Sequence, residues 1–154
     1  MMTSTKTQRR PIGGFTLVEL LIVIAIIAIL AALVLAAAGS VQKKGARSRA
    51  EAEIAALEGA LESFKADNGD YPSNSTAGNS ACLVTNLMPT NGGKVYYEFK
   101  SKWISTGNYL DPFGNSYNYI YTNGSPNNGT NNYDLWSTAG NSSDTNSQHW
   151  IKNW

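Results

Sequence analysis

Glu19 is the one ionisable side chain in an otherwise apolar stretch, for residues 15–38 carry only Thr16 and Glu19 as polar members. A charge in a segment of membrane length costs at least a few kcal/mol unless it is paired, which makes this carboxylate a candidate for an ion pair. The other oxygens with chemistry to offer lie near the C-terminus. There Asn141, Ser143 and Asp144 could give a hard cation a few ligands of low total charge. Catalytic sets are missing: no Ser/His/Asp or Cys/His combination, no phosphate-cradling glycine loop and no carboxylate pair in a shared context, so the sequence points away from an enzyme. His149 is the sole histidine and Cys82 the sole cysteine. Neither a transition-metal cluster nor an intramolecular disulfide has its ligands or partners.

The elements that must position Glu19 follow from the run around it. As helix, residues 15–38 span about 36 Å, enough to cross a bilayer. Lys6, Arg9 and Arg10 precede the run in a leader (1–14) with no acidic residue. No small-x-small cleavage pattern follows the run, and it is too long for an ordinary secretory h-region. Further basic residues, Lys43, Lys44, Arg47 and Arg49, follow it, so the positive-inside rule alone leaves orientation open. The polar domain beyond the span favours an N-terminus inside and a C-terminus outside.

The 154 residues have room for an anchor and one domain, 39–154. Three of the twelve basic residues lie in the leader, which leaves nine against eleven acidic side chains. A weakly acidic remainder is poor material for phosphate neutralisation, so no nucleic-acid partner is expected. The cluster from Lys43 to Arg49 reads as a membrane-surface or subunit contact.

The helical pattern continues past the apolar run. Ile54, Leu57, Leu61 and Phe64 recur at spacings of three and four, one apolar stripe on an amphipathic helix, with Glu58, Glu62 and Lys65 opposite. Asn68-Gly69 and then Pro72 supply the stop. This predicts one helix over 15–67, about 80 Å long, with Gly39, Gly45 and Gly59 as its soft points. Beyond it, 81–88 suit a short helix stopped at Pro89, 95–99 a short strand, and Asp111-Pro112-Phe113-Gly114 a type I turn. Tyr117, Tyr119 and Tyr121 alternate with other residues as in a half-buried strand, and 133–137 reads as its hairpin partner. Residues 138–149 read as irregular loop. The fold class expected is α+β: a long N-terminal helix, transmembrane in its first half and amphipathic in its second, packed on a small antiparallel sheet with irregular loops.

A basic head, Gly13-Gly14-Phe15-Thr16-Leu17-Val18-Glu19 and an unbroken apolar run resemble the N-terminus of type IV pilins and type II secretion pseudopilins. The match extends to 54–72, 109–119, 133–137 and the closing Ile151-Lys152-Asn153-Trp154, which resemble the long-helix end, strand-entry turn, last strand and terminus of major pseudopilins. The resemblance implies a pilin-like fold and a leader cut between Gly14 and Phe15 by a membrane prepilin peptidase, which N-methylates the new terminus. It also implies that Glu19 pairs with the terminal amine of a neighbouring subunit. The implied partners are copies of itself in a helical filament, other pseudopilins and the inner-membrane assembly platform. The implied location is the bacterial inner membrane, single-pass, with cytoplasmic N-terminus and periplasmic head.

Two departures stand out. No proline lies in 34–38, where many relatives have one near the membrane exit. In major pseudopilins the last loop binds calcium through acidic residues in a pattern like Ser-x-Gly-x-Asp-Gly, with a later Asp before the final Ile. Here the stretch is Ser137-Thr138-Ala139-Gly140-Asn141-Ser142, and Trp150 precedes Ile151. Calcium, if held, would fall to Asn141 and Asp144. Otherwise Trp136, Trp150 and Trp154 would hold the loop by packing. Two further readings are a membrane-anchored adhesion or polysaccharide-binding pilin using exposed aromatics, and a DNA-uptake pilin.

Overall fold

A threonine followed three residues later by glutamate, ahead of an apolar run, is a helix-starting signature, and the chain's longest element begins there. The structure, a computed structural model, describes residues 14–74, 79–121, 127–129, 131–141, 143 and 146–154, with the side chains at 36–38 left aside. Helix α1 runs Leu17–Asn68, within two residues of the expected bounds. It passes unbroken through Gly39, Gly45 and Gly59, where an added Cβ would meet nothing within 4 Å. It ends at Gly69 (φ +85), whose N–H donates to the Lys65 carbonyl at 2.7 Å. Only glycine adopts that left-handed conformation without penalty.

The chain divides into two compact units that meet at Val41 and Gln42. The described part of the first is bare helix, exposed at every side chain from 14 to 35, with Phe15 at 87% and Leu17 at 86%. It is long and apolar enough to cross a membrane.

The second unit holds the core. From α1 it takes Ala50, Ile54, Leu57 and Leu61, all buried, as the spacing of the stripe requires. Phe64 packs at its margin. Helix α2 (Ala81–Leu87) adds Leu83 and Leu87, and a single 3-10 turn, Ser101–Trp103, leads into strand β1 (Ile104–Ser105). Strand β2 (Asn108–Tyr109) pairs antiparallel with β1, Ile104 opposite Tyr109. The sheet facing α1 has the order β3-β4-β5, from β3 (Asn118–Ile120), β4 (Asp134–Ser137) and β5 (Ile151–Lys152). All its pairings are antiparallel: Tyr119 faces Leu135, and Ser137 faces Ile151. The α+β, pilin-like expectation holds.

Tyr117 and Tyr119 are fully buried. Their hydroxyls donate to Glu53 Oε2 (2.8 Å) and to the Pro72 carbonyl (2.9 Å), as a buried phenol requires. Burial, reinforced at Tyr117 by the Glu53 carboxylate, pushes both phenols well above their ordinary range. Two asparagines finish the sheet. On the edge of β3 away from β4, where Asn79 makes a single antiparallel bridge with Tyr119, Asn74 Nδ2 donates to the Tyr119 carbonyl and its Oδ1 accepts the Tyr121 N–H. Beyond β5, Asn153 Oδ1 accepts the Leu135 N–H. Each amide satisfies backbone groups that would otherwise be left as an open edge.

One strand is corrected. Residues 95–99 form no strand; instead the N–H groups of Tyr96 and Tyr97 both donate to the Leu87 carbonyl at the end of α2. The segment's backbone is committed to capping a helix, which leaves no ladder to join. The hairpin lies further on, where Thr106 (φ 47) and Gly107 (φ 83) make the two-residue, positive-φ turn that suits the twist of paired strands.

Candidate functional site

Two places were marked by sequence, the start of α1 and the loop between β4 and β5. At the first, Gly14 and Phe15 lie exposed ahead of the helix. Thr16 follows as its N-cap. The Thr16 N–H and Oγ1–H both donate to Glu19 Oε2, each at 2.8 Å. In return the Glu19 N–H donates to Thr16 Oγ1 at 3.2 Å. This is a reciprocal capping box, and it satisfies two of the donors that a helix start leaves open. Thr16 was the residue that sequence reasoning passed over, although Thr16-Leu17-Val18-Glu19 carries the signal. The cap occupies Oε2 alone. A carboxylate has about four acceptor positions, and among the described residues nothing donates to Oε1. Lys6, Arg9 and Arg10 lie outside the described residues.

At the second place, β4 delivers Ser137 and β5 delivers Ile151 as direct neighbours, so the loop closes on itself. Asn141 is exposed, and its N–H donates to the Thr138 carbonyl at 3.1 Å. Its side chain lines a pocket with Lys43 and Arg47. Asp144 lies outside the described residues. Two other carboxylates are already engaged, each accepting at least three hydrogen bonds from the chain. Asp111 Oδ1 accepts the N–H groups of Phe113 and Asn115, each at 2.9 Å, and its Oδ2 accepts Ser137 Oγ–H. Asp134 accepts from the backbone and side chain of Asn127 and from the Asn128 N–H.

Calcium takes six to eight oxygens, several of them charged. Among the described residues no three acidic, histidine or cysteine side chains gather, and two cations line the pocket that Asn141 lines. The described part of the loop does not fit that ion. What holds it is aromatic. Trp136 stacks on Trp150 at 5.7 Å between ring centroids and meets Trp154 edge-on at 5.9 Å.

His149 is exposed, and its carbonyl accepts Arg47 Nη1–H at 3.2 Å. Cys82 is half-buried against the core, and burial pushes its thiol up to about 11. That suits a packed, unreactive thiol.

Residues 38–154 match the family described as Type II secretion system (T2SS), protein G. Residues 9–35 match the Prokaryotic N-terminal methylation motif. The chain is similar to the Type II secretion system core protein G of Pseudomonas aeruginosa, at 37% identity over 117 residues, 73% of this chain and 76% of that protein. It is similar to the protein of the same name in Escherichia coli K12, at 34% over 116 residues, 75% of this chain and 74% of the relative. The Vibrio cholerae protein of that name is 36% identical over 112 residues, 70% of this chain and 69% of the relative.

Proposed function

This chain belongs to the type II secretion system protein G family, and from that membership we infer that it is the structural subunit of a pilus-like filament, of the major-pseudopilin kind. The observation that carries its assembly chemistry is the capping box at Thr16 and Glu19, set at the head of a fully exposed apolar helix. Such a helix is stable only in lipid or against copies of itself. Glu19 keeps one carboxylate oxygen for a partner.

A prepilin peptidase cuts between Gly14 and Phe15 and methylates the new amine, in this reading. Both residues are exposed and precede the helix, as a scissile bond must. The Phe15 ammonium of one subunit then reaches Glu19 Oε1 of its neighbour. A buried carboxylate without a partner is strongly unfavourable, so the pair sets the register. The chain sits in the inner membrane with its N-terminus cytoplasmic and its head periplasmic, and joins other pseudopilins on the assembly platform. The adhesion reading loses its support, because Tyr117 and Tyr119 are core residues and present no platform for a sugar.

Intact-mass measurement on membrane extracts, with electron microscopy of overproducing cells, tests this. The mature chain is expected to begin at N-methyl-Phe15, and Gly14→Asp to block the cut. Glu19→Ala is expected to be cleaved yet to form few filaments. A mature mass that keeps residues 1–14, or wild-type filament abundance in Glu19→Ala, would overturn it.

A further inference from the structure

We propose that the pocket lined by Lys43, Arg47, Phe113, Ala139, Gly140 and Asn141 is a binding site for the phosphate of an anionic phospholipid headgroup. Its volume is about 430 Å³, room for a phosphodiester and its polar substituent. Lys43 and Arg47 are four residues apart on α1 and so share one face of the helix. Arg47 is aimed by two bonds: Nε–H to Glu51 Oε1 and Nη1–H to the His149 carbonyl, both 3.2 Å. Among the described residues the rest of its guanidinium has no other hydrogen-bond acceptor.

Among the described residues, Lys43 has no anionic partner, whereas Arg49 is held by Glu53 and Lys94 by Asp67. The opposite wall is close-packed: a Cβ on Gly140 would lie 3.0 Å from the Phe113 ring. The Asn141 side chain adds a neutral amide able to donate to a phosphate oxygen.

The choice of a lipid over a free anion comes from position. Lys43 lies five residues past the end of the apolar run at 38, about 8 Å along a helix. A basic side chain so close in sequence to a membrane span attracts anionic lipid. The assignment rests on the reading that 15–38 spans a membrane. The experiment below probes the pocket in solution, so it can fail while processing and filament assembly succeed.

The test uses the full chain, isotopically labelled, in micelles of an uncharged detergent. Dihexanoyl phosphatidylglycerol is titrated in while the amide resonances of Gly140 and Asn141 are followed by NMR. A saturable shift of both is expected, and Lys43→Gln with Arg47→Gln is expected to weaken it at least about tenfold. Lys43→Gln alone keeps the Arg47 bonds to Glu51 and His149 and is expected to weaken it by a smaller factor. Dihexanoyl phosphatidylcholine should give little shift at matched concentration. Four results would each overturn the proposal: equal response to phosphatidylcholine, unchanged affinity in the double variant, inorganic phosphate binding as tightly as the lipid, or calcium shifting the same amides.

Discussion

Ser137 Oγ–H donates to Asp111 Oδ2 across 26 residues of sequence, with both residues fully buried. The bond ties the turn that enters β3 to the end of β4. Asp111 is the organising member, since it also accepts the N–H groups of Phe113 and Asn115 and its carbonyl accepts the Gly114 N–H. Ser137 Oγ is itself an acceptor for the Ala139 N–H, which fixes the first step of the last loop.

The asymmetry between these residues is testable. Asp111→Ala strands three donors at a buried site, at about 1–3 kcal/mol for each group that water cannot reach. Ser137→Ala removes one donor and one acceptor and is expected to cost about 1–2 kcal/mol. Denaturant unfolding of the full chain in micelles, followed by tryptophan fluorescence, should rank Asp111→Ala well below Ser137→Ala. Equal midpoints would show that the carboxylate organises nothing beyond the serine.

The helix was legible because its signals are local. The stripe at Ile54, Leu57 and Leu61 and the glycine stop at Gly69 need only spacing and backbone sterics. The turn at Asp111 and the strand containing Tyr119 were legible for the same reason. What sequence did not disclose is where lone polar groups go. The side chains of Asn74 and Asn153 complete backbone hydrogen bonding for segments far away in sequence, and Asp111, beyond its own turn, accepts the Ser137 hydroxyl 26 residues on. Residues 95–99 looked like a strand by composition, but their N–H groups were taken by Leu87, a tertiary choice that propensity cannot express. At the start of α1, spacing identified Glu19 but not the threonine that shares its carboxylate.

Two glycines should respond to alanine with opposite sign. Gly59 lies exposed inside α1 with open space at its Cβ, so Gly59→Ala is expected to stabilise the solubilised subunit by about 1 kcal/mol through helix propensity. Gly140 has φ +89, and a Cβ added there would lie 3.0 Å from the Phe113 ring. Gly140→Ala therefore meets both backbone strain and a ring that must shift, an expected loss of about 1–3 kcal/mol. Thermal melts of the two variants beside wild type decide it. A Gly140→Ala protein that melts at or above wild type would contradict the close packing of this loop on Phe113.

The last prediction concerns calcium, where the family's pattern and this chain's residues part. An ion bound only to the folded state would stabilise it by about 2.7 kcal/mol at a hundredfold excess over Kd, several degrees in a domain of this size. The described loop offers little to bind it: Asn141 is neutral and lines one pocket with Lys43 and Arg47, and Asp111 and Asp134 already accept at least three hydrogen bonds each from the chain itself. The tryptophan cluster supplies the closure instead. Two aromatic contacts at Trp136, with Trp150 and with Trp154, together contribute about 1–3 kcal/mol beyond area burial. The full chain in micelles should accordingly melt at nearly the same temperature in about 1 mM calcium as in chelator, while Trp136→Ala should lower the midpoint by several degrees in both. A large rise on adding calcium that Asp144→Ala abolishes would restore the metal site and sink the aromatic account.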